Sequence, residues 1–164
     1  MNETTKINIR FAQPGEESLI LAFIRGLARY EKMDDQVVAT PELLHEWIFE
    51  KKTAEVLLAW WGGEAVGFAL FFHNFSTFLG RGGIYLEDLY VLPEMRGKGV
   101  GKALLTHLAG IAVKRGCGRL EWACLDWNTP SIDFYRSLGA QPMDDWTVYR
   151  VTGDTLDDLA GGTN

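Results

Sequence analysis

A glycine-rich turn that carries three cationic side chains is the stretch of this chain best suited to chemistry. It runs from Arg96 to Lys102, with glycine at positions 97, 99 and 101 and Lys98 between them. Glycines leave the backbone N–H groups at a helix start open to close approach, and the helix dipole there favours an anion. The turn therefore predicts a site for a phosphate or diphosphate group.

Two common phosphate-binding motifs do not fit this turn. A P-loop ending at Gly101-Lys102 would need glycine in place of Arg96 and a hydroxyl residue in place of Ala103. A dinucleotide fingerprint would need a glycine at Lys102 in one register and at Leu104 in the other. A flexible connector is less favoured, because glycines and cations converge on a helix start. What remains is an Arg-Gly-x-Gly-x-Gly turn after a strand.

Hydrophobic periodicity predicts the elements that position the turn. The order β-α-α-β-β-β-α-β-α-β indicates an α/β fold, a mixed central sheet flanked by helices. Strands are expected at about residues 7–11, 55–61, 64–72, 84–92, 119–126 and 147–151, and helices at about 16–31, 40–51, 100–115 and 128–138. One domain over 1–164 is expected, with a core from about residue 6 to 152 and an acidic, frayed C-terminal tail.

Composition narrows the classes of function. The chain has 164 residues, of which 47% are hydrophobic, and a net charge of −6, which argues against a nucleic-acid partner. The start lacks a basic-then-apolar signal pattern, and no apolar run approaches membrane-spanning length, so a cytoplasmic protein without a membrane partner is expected. The two cysteines and three histidines show no metal-ligand spacing, so no metal is expected.

The central strand carries two adjacent carboxylates among large apolar residues. Simple alternation places Ile84, Leu86, Asp88 and Tyr90 on one face and Tyr85, Glu87, Leu89 and Val91 on the other. An ionised carboxylate is costly in such a place unless it is paired, hydrogen-bonded or open to a cleft. From the residues alone, a structural acid and a functional acid are about equally favoured.

The turn resembles the acetyl-CoA diphosphate loop of the GNAT superfamily of N-acetyltransferases, and the element order matches that fold. Within the superfamily, the chain resembles the diamine branch, whose members acetylate spermidine, spermine or thialysine. The segments that carry the resemblance are Leu27–Glu31, Tyr85–Val91, Arg96–Lys102, Trp127–Ser131 and Phe134-Tyr135. Tyr30-Glu31 and Leu86-Glu87-Asp88 are the pieces specific to the branch.

The resemblance implies acetyl-CoA as co-substrate and a set of residues that hold it. The backbone of Leu89, Tyr90 and Val91 would bond the pantetheine arm as an added strand does. The diphosphate would lie on the loop formed by Arg96, Gly97, Lys98, Gly99, Val100, Gly101 and Lys102. Asn128 and Ser131 would contact the cofactor near its reactive end. Tyr135 would also contact it, as the general acid that protonates the departing thiolate.

The resemblance also implies roles on the substrate side. Glu87 becomes the favoured contact to the substrate amine and the candidate base, whereas Asp88 is assigned a structural role. Tyr30 and Glu31, at the end of the first helix, would bind substrate, as would Asp145 and Trp146 in a later acidic and aromatic cluster. The register of that cluster, Asp144 or Asp145, stays open.

Together these observations predict an acetyl-CoA-dependent N-acetyltransferase. Its acceptor would be a primary amine of a small cationic molecule, a polyamine, a diamine or a lysine-like amino acid such as thialysine. Attack would be direct in a ternary complex, because no Cys-His pair suggests an acyl-enzyme. The alternatives are acetylation of a protein or an aminoglycoside, and a non-catalytic acyl-CoA-binding module. The resemblance, with a final strand able to pair across a two-fold axis, also implies a homodimer.

Overall fold

The computed structural model describes residues 6–162, which form two compact units, one up to Leu125 and one from Asp126. The strands and helices of the first are β1 (Ile7–Phe11), α1 (Glu17–Tyr30), α2 (Pro41–Leu44), β2 (Glu55–Trp61), β3 (Glu64–Ser76), β4 (Arg81–Val91), α3 (Val100–Lys114) and β5 (Leu120–Trp122). The second holds α4 (Thr129–Ser137) and α5 (Gly153–Leu159). The single domain expected over 1–164 stays a prediction.

Short helical turns add to the first unit within residues 6–125. Asp34–Gln36 and Pro93–Met95 are 3₁₀ turns, and His45–Glu50 continues α2 as a π-helical turn. Thr40 caps α2, since its hydroxyl accepts a hydrogen bond from the N–H of Leu43 at 3.2 Å. Among residues 6–162, no helix has the length and apolar character that a bilayer crossing requires.

Over residues 6–162, the sheet has five strands in the order β1-β2-β3-β4-β5. Neighbours are antiparallel except β4 and β5, which run parallel, so the predicted mixed sheet is confirmed. Gly62 and Gly63 turn β2 into β3 with φ of 58° and 84°, the left-handed values that a two-residue hairpin demands.

Helices cover both faces of this sheet. On the α1 face, Ile20 and Phe23 of α1 pack in one cluster with Val56, Leu58, Phe68 and Tyr90, and the Phe23 and Phe68 rings stack at 5.6 Å between centroids. Strand alternation places the buried residues Leu57, Ala69 and Phe71 on the opposite face. The helix α3 lies across this opposite face, the α3 face, and contacts β1 to β4.

The end of the chain differs from the prediction. No strand forms at Thr147–Val151, and the expected frayed tail contains α5. A strand needs a partner for its backbone groups, and β propensity alone does not supply one. Within the described residues this segment joins no sheet, and its Val148 and Tyr149 side chains are 82% and 92% exposed.

Candidate active site

The glycine-rich loop forms the start of α3 as predicted. Gly97 and Gly99 have φ of 78° and 86°, and Gly99 is the N-cap residue. The first hydrogen bond of the helical ladder runs from the N–H of Ala103 to the carbonyl of Gly99 at 3.0 Å. The N–H groups of the residues between them therefore precede the ladder, as at every helix start. These glycines and N–H groups fit a diphosphate ligand.

Arg96, the first residue of the loop, stacks on two tyrosines. Its guanidinium carbon lies 4.8 Å from the ring centroid of Tyr30 and 5.8 Å from that of Tyr90. Its Nε donates a hydrogen bond to the carbonyl of Val91 at 3.3 Å. Arg96 thus ties the end of α1 to the end of β4, an arrangement that sequence reasoning missed.

Tyr90 reaches this stack because α1 has a glycine beneath it. A Cβ at Gly26 would lie only 2.7 Å from the Tyr90 ring. The Tyr90 side chain is buried on the α1 face, where its ring centroid is 6.3 Å from that of Phe23. The packing of this side chain therefore holds the Tyr90 backbone in place in β4.

The two parallel strands part early and leave an open strand edge. β5 pairs with β4 only at Ile84, Leu86 and the residue between them, whereas β4 continues to Val91. From Glu87 onward, this edge of β4 has no strand partner among residues 6–162. The segment Leu89–Val91, predicted to bond a pantetheine arm through its backbone, lies on this edge. An extended ligand can bind such an edge as an added strand does.

A β-bulge at Glu87 overturns the predicted alternation of side chains. Leu86 pairs with Phe71 of β3 and Asp88 pairs with Leu70, so Glu87 is an extra residue without a directly opposed partner. An inserted residue resets the alternation of its strand. Leu86 consequently lies on the α3 face, whereas Asp88 and Tyr90 lie on the α1 face. The expectation that all three share one face was wrong.

The bulge brings three carboxylates within electrostatic reach of one another. Burial, with the charges of Glu87 and Glu31, raises the pKa of Asp88 to about 7. Burial and the charge of Glu87 also raise the pKa of Glu31, the residue that ends α1. Glu87 itself is exposed, and Asp88 and Glu31 are partly buried. This acidic cluster, Glu31, Glu87 and Asp88, has an electrostatic environment that favours a cation.

The second unit carries the remaining predicted residues. Asn128 is buried and is the N-cap residue of α4, where its carbonyl accepts from the N–H of Ile132 at 3.0 Å. Ser131 and Tyr135 follow on α4, both partly buried, and the Tyr135 ring centroid lies 5.7 Å from that of Phe134. The predicted contacts of these three residues with the cofactor stay predictions.

A turn of the second unit contains Asp144, Asp145 and Trp146. The N–H of Trp146 closes this turn by donating a hydrogen bond of 3.2 Å to the carbonyl of Met143. Both aspartates are exposed, and Trp146 is 75% exposed. Their expected role in substrate binding stays a prediction.

A mixed sheet with an open strand edge, beside a glycine-rich helix start, fits a long, diphosphate-bearing ligand. The model of the Acetyltransferase (GNAT) family matches residues 21–140. The chain belongs to this family and is an acetyl-CoA-dependent N-acetyltransferase.

Three similar proteins illustrate the relationship. Thialysine N-epsilon-acetyltransferase from Bos taurus is 40% identical, with 94% of this chain and 98% of that protein covered. L-ornithine N5-acetyltransferase from Arabidopsis thaliana is 49% identical over 90 residues, 55% of this chain and 40% of that protein. The structure of an integron cassette protein from the mobile metagenome of V. cholerae superposes with a TM-score of 0.79 at 31% identity, covering 94% of this chain and 98% of that one.

The loop geometry predicts that Gly101→Ala weakens CoA binding. The added methyl would meet the protein only at Val91, at an ordinary 3.9 Å, so the fold should accept it. It would, however, stand where the diphosphate approaches the backbone. Calorimetric titration should show a larger loss for Gly101→Ala than for Lys98→Ala, and none for Gly110→Ala, a control in the same helix with open space around it. The reverse order would contradict a backbone-based site.

The acidic cluster predicts that Asp88→Asn flattens the dependence of stability on pH. The folded protein holds the Asp88 proton up to about pH 7, whereas an unfolded chain releases it near pH 4. Since the folded state binds more protons in this window, the free energy of unfolding should fall as pH rises through it. Urea unfolding at about pH 5 and about pH 7.5 measures this fall. An equal fall in the asparagine variant would contradict the assignment.

Proposed function

We propose that this enzyme acetylates a primary amine of a small cationic molecule, a polyamine, a diamine or a lysine-like amino acid such as thialysine. The acidic cluster on the open part of β4 is the observation that carries the proposal. Three carboxylates held together repel one another, and a bound cation relieves that repulsion. A cationic acceptor thus binds beside the edge where the acyl donor is expected.

The names of two similar proteins support an amino-acid acceptor with a side-chain amine. The Bos taurus protein is named for the ε-nitrogen of thialysine, and the Arabidopsis thaliana protein for the N5 nitrogen of ornithine. Both acceptors present a flexible chain that ends in a primary amine. An acidic cluster suits that ammonium group, and it suits the second cation of a diamine equally well.

The mechanism must remove a proton from the amine before the amine can attack. In the proposed mechanism, Glu87 holds the ammonium group and accepts one proton, directly or through water. The neutral nitrogen then forms the C–N bond with the thioester carbonyl carbon and releases its second proton to water as the C–S bond breaks. Tyr135 donates its phenolic proton to the departing thiolate, whose conjugate acid has a pKa of about 8.5 against about 10 for the phenol.

We also propose that the enzyme is a homodimer. The second unit exposes a run of large apolar side chains, Met143, Trp146, Val148, Tyr149, Leu156 and Leu159. Exposed apolar surface of this kind, with an extended segment that joins no sheet within the described chain, is typical of an interface. Sedimentation at micromolar concentration measures the state, and a monomer would refute the proposal.

A panel of amines tests the proposed substrate class. Thiol release from acetyl-CoA is measured with thialysine, ornithine, lysine, putrescine, spermidine, an aminoglycoside and a peptide. The highest kcat/KM should belong to a small amine, and Glu31→Gln should raise the KM of that amine more than that of acetyl-CoA. Preference for the peptide or the aminoglycoside would favour those alternatives, and no turnover would favour an acyl-CoA-binding module.

The proposed acid and base should separate by pH. Tyr135→Phe keeps the ring and removes the proton, so kcat should fall on the order of 10²-fold at every pH, with CoA affinity nearly unchanged. Glu87→Gln should lower kcat/KM for the amine, and this loss should shrink as pH rises, because more amine arrives neutral. A wild-type kcat for Tyr135→Phe, or a Glu87→Gln loss that stays flat with pH, would remove the corresponding role.

A further inference from the structure

We propose that Trp61, with Lys6 and Lys98, forms a binding site for the nucleoside end of CoA, its adenine ring and ribose phosphate. The Nζ atoms of Lys98 and Lys6 lie 5.6 Å and 5.9 Å from the centroid of the Trp61 ring. Both lysines are exposed, and Trp61 is partly buried. The inference rests on the use of acetyl-CoA as acyl donor.

The register of the sheet explains why Trp61 lies beside the diphosphate loop. Gly67 of β3 pairs with Val91, so the β2–β3 hairpin lies at the end of the sheet where β4 leads into the loop. Alternation along β2 places Trp60 with the cluster on the α1 face and Trp61 on the α3 face. Trp61 therefore flanks the start of α3, and Lys98 of the loop reaches it.

The chemistry of the three side chains matches a nucleotide. An indole face stacks on any base, and a lysine ammonium group that the base displaces from the ring can pair with a phosphate of the same nucleotide. In CoA, the adenosine is joined directly to the diphosphate, so a base-binding surface must lie next to the loop. Glu64 pairs with Trp61 across the hairpin and is exposed, so its carboxylate opposes a phosphate there.

Truncated ligands separate this site from the rest of the CoA site. Calorimetric titration, by displacement where binding is weak, compares CoA, 3′-dephospho-CoA and 4′-phosphopantetheine. Trp61→Ala should weaken CoA and dephospho-CoA about tenfold and leave phosphopantetheine unchanged, since only the first two carry the base. Lys6→Ala should weaken CoA alone by a few fold, and Glu64→Gln should strengthen CoA alone, because only CoA carries the 3′-phosphate.

Two further variants serve as controls, one for specificity and one for loss of stability. Trp47→Ala removes another tryptophan with a lysine over its ring, Lys51 Nζ at 4.0 Å, in the helical layer on the α1 face. It should change none of the three affinities. Trp61→Leu keeps apolar packing but removes the stacking surface, so it should reproduce the Trp61→Ala pattern even if alanine destabilises the hairpin.

The possible results distinguish failure of the Trp61 site from failure of acetyl-CoA use. Equal losses for all three ligands, or no loss for any, would overturn the Trp61 site while leaving CoA binding intact. A wild-type protein that binds none of the three ligands would instead overturn the use of acetyl-CoA itself.

Discussion

One inserted residue in β4 controls most of what this site can do. Because Glu87 is extra, Asp88 turns onto the α1 face, where it meets the charge of Glu31. Pairing with β5 ends at Leu86, immediately before the same residue. The bulge thus coincides with both the acidic cluster and the open strand edge. Bulges commonly re-aim a side chain and end a strand pairing next to an active site, and here both effects arise at one position.

Electrostatic repulsion is built into the cluster that results. A carboxyl whose pKa is about 7 holds its proton about half the time at neutral pH, which reflects the cost of a further buried charge. Burying such a carboxylate lowers the stability of the fold unless another interaction offsets the cost. Arg96 does not compensate it as an ion-pair partner, since its guanidinium lies over the two tyrosine rings and its Nε donates to the Val91 carbonyl. Within the cluster, the repulsion between Asp88 and its two neighbouring carboxylates is therefore not offset by Arg96.

Features set by neighbouring residues could be predicted from the sequence, and features set by distant ones could not. The Gly62-Gly63 hairpin and the Gly99 helix start depend on local backbone preference, and both were predicted correctly. The bulge depends on the pairing register between β3 and β4. The residue pattern within β4 alone does not show that register. Thr147–Val151 has strand-like residues, but a strand is a property of a pair, and the described chain provides no partner.

Arg96 shows how one loop residue can connect two binding functions. It was assigned from its sequence position to the diphosphate loop, where a cation is expected near an anion. In the structure, its guanidinium also lies over Tyr30, which the family resemblance assigns to the amine, and its Nε bonds Val91, which the same resemblance assigns to the pantetheine arm. Guanidinium is suited to this because it stacks through its face and donates through its edge at once. A movement of the loop must therefore move or strain the contacts of Arg96 with both α1 and β4.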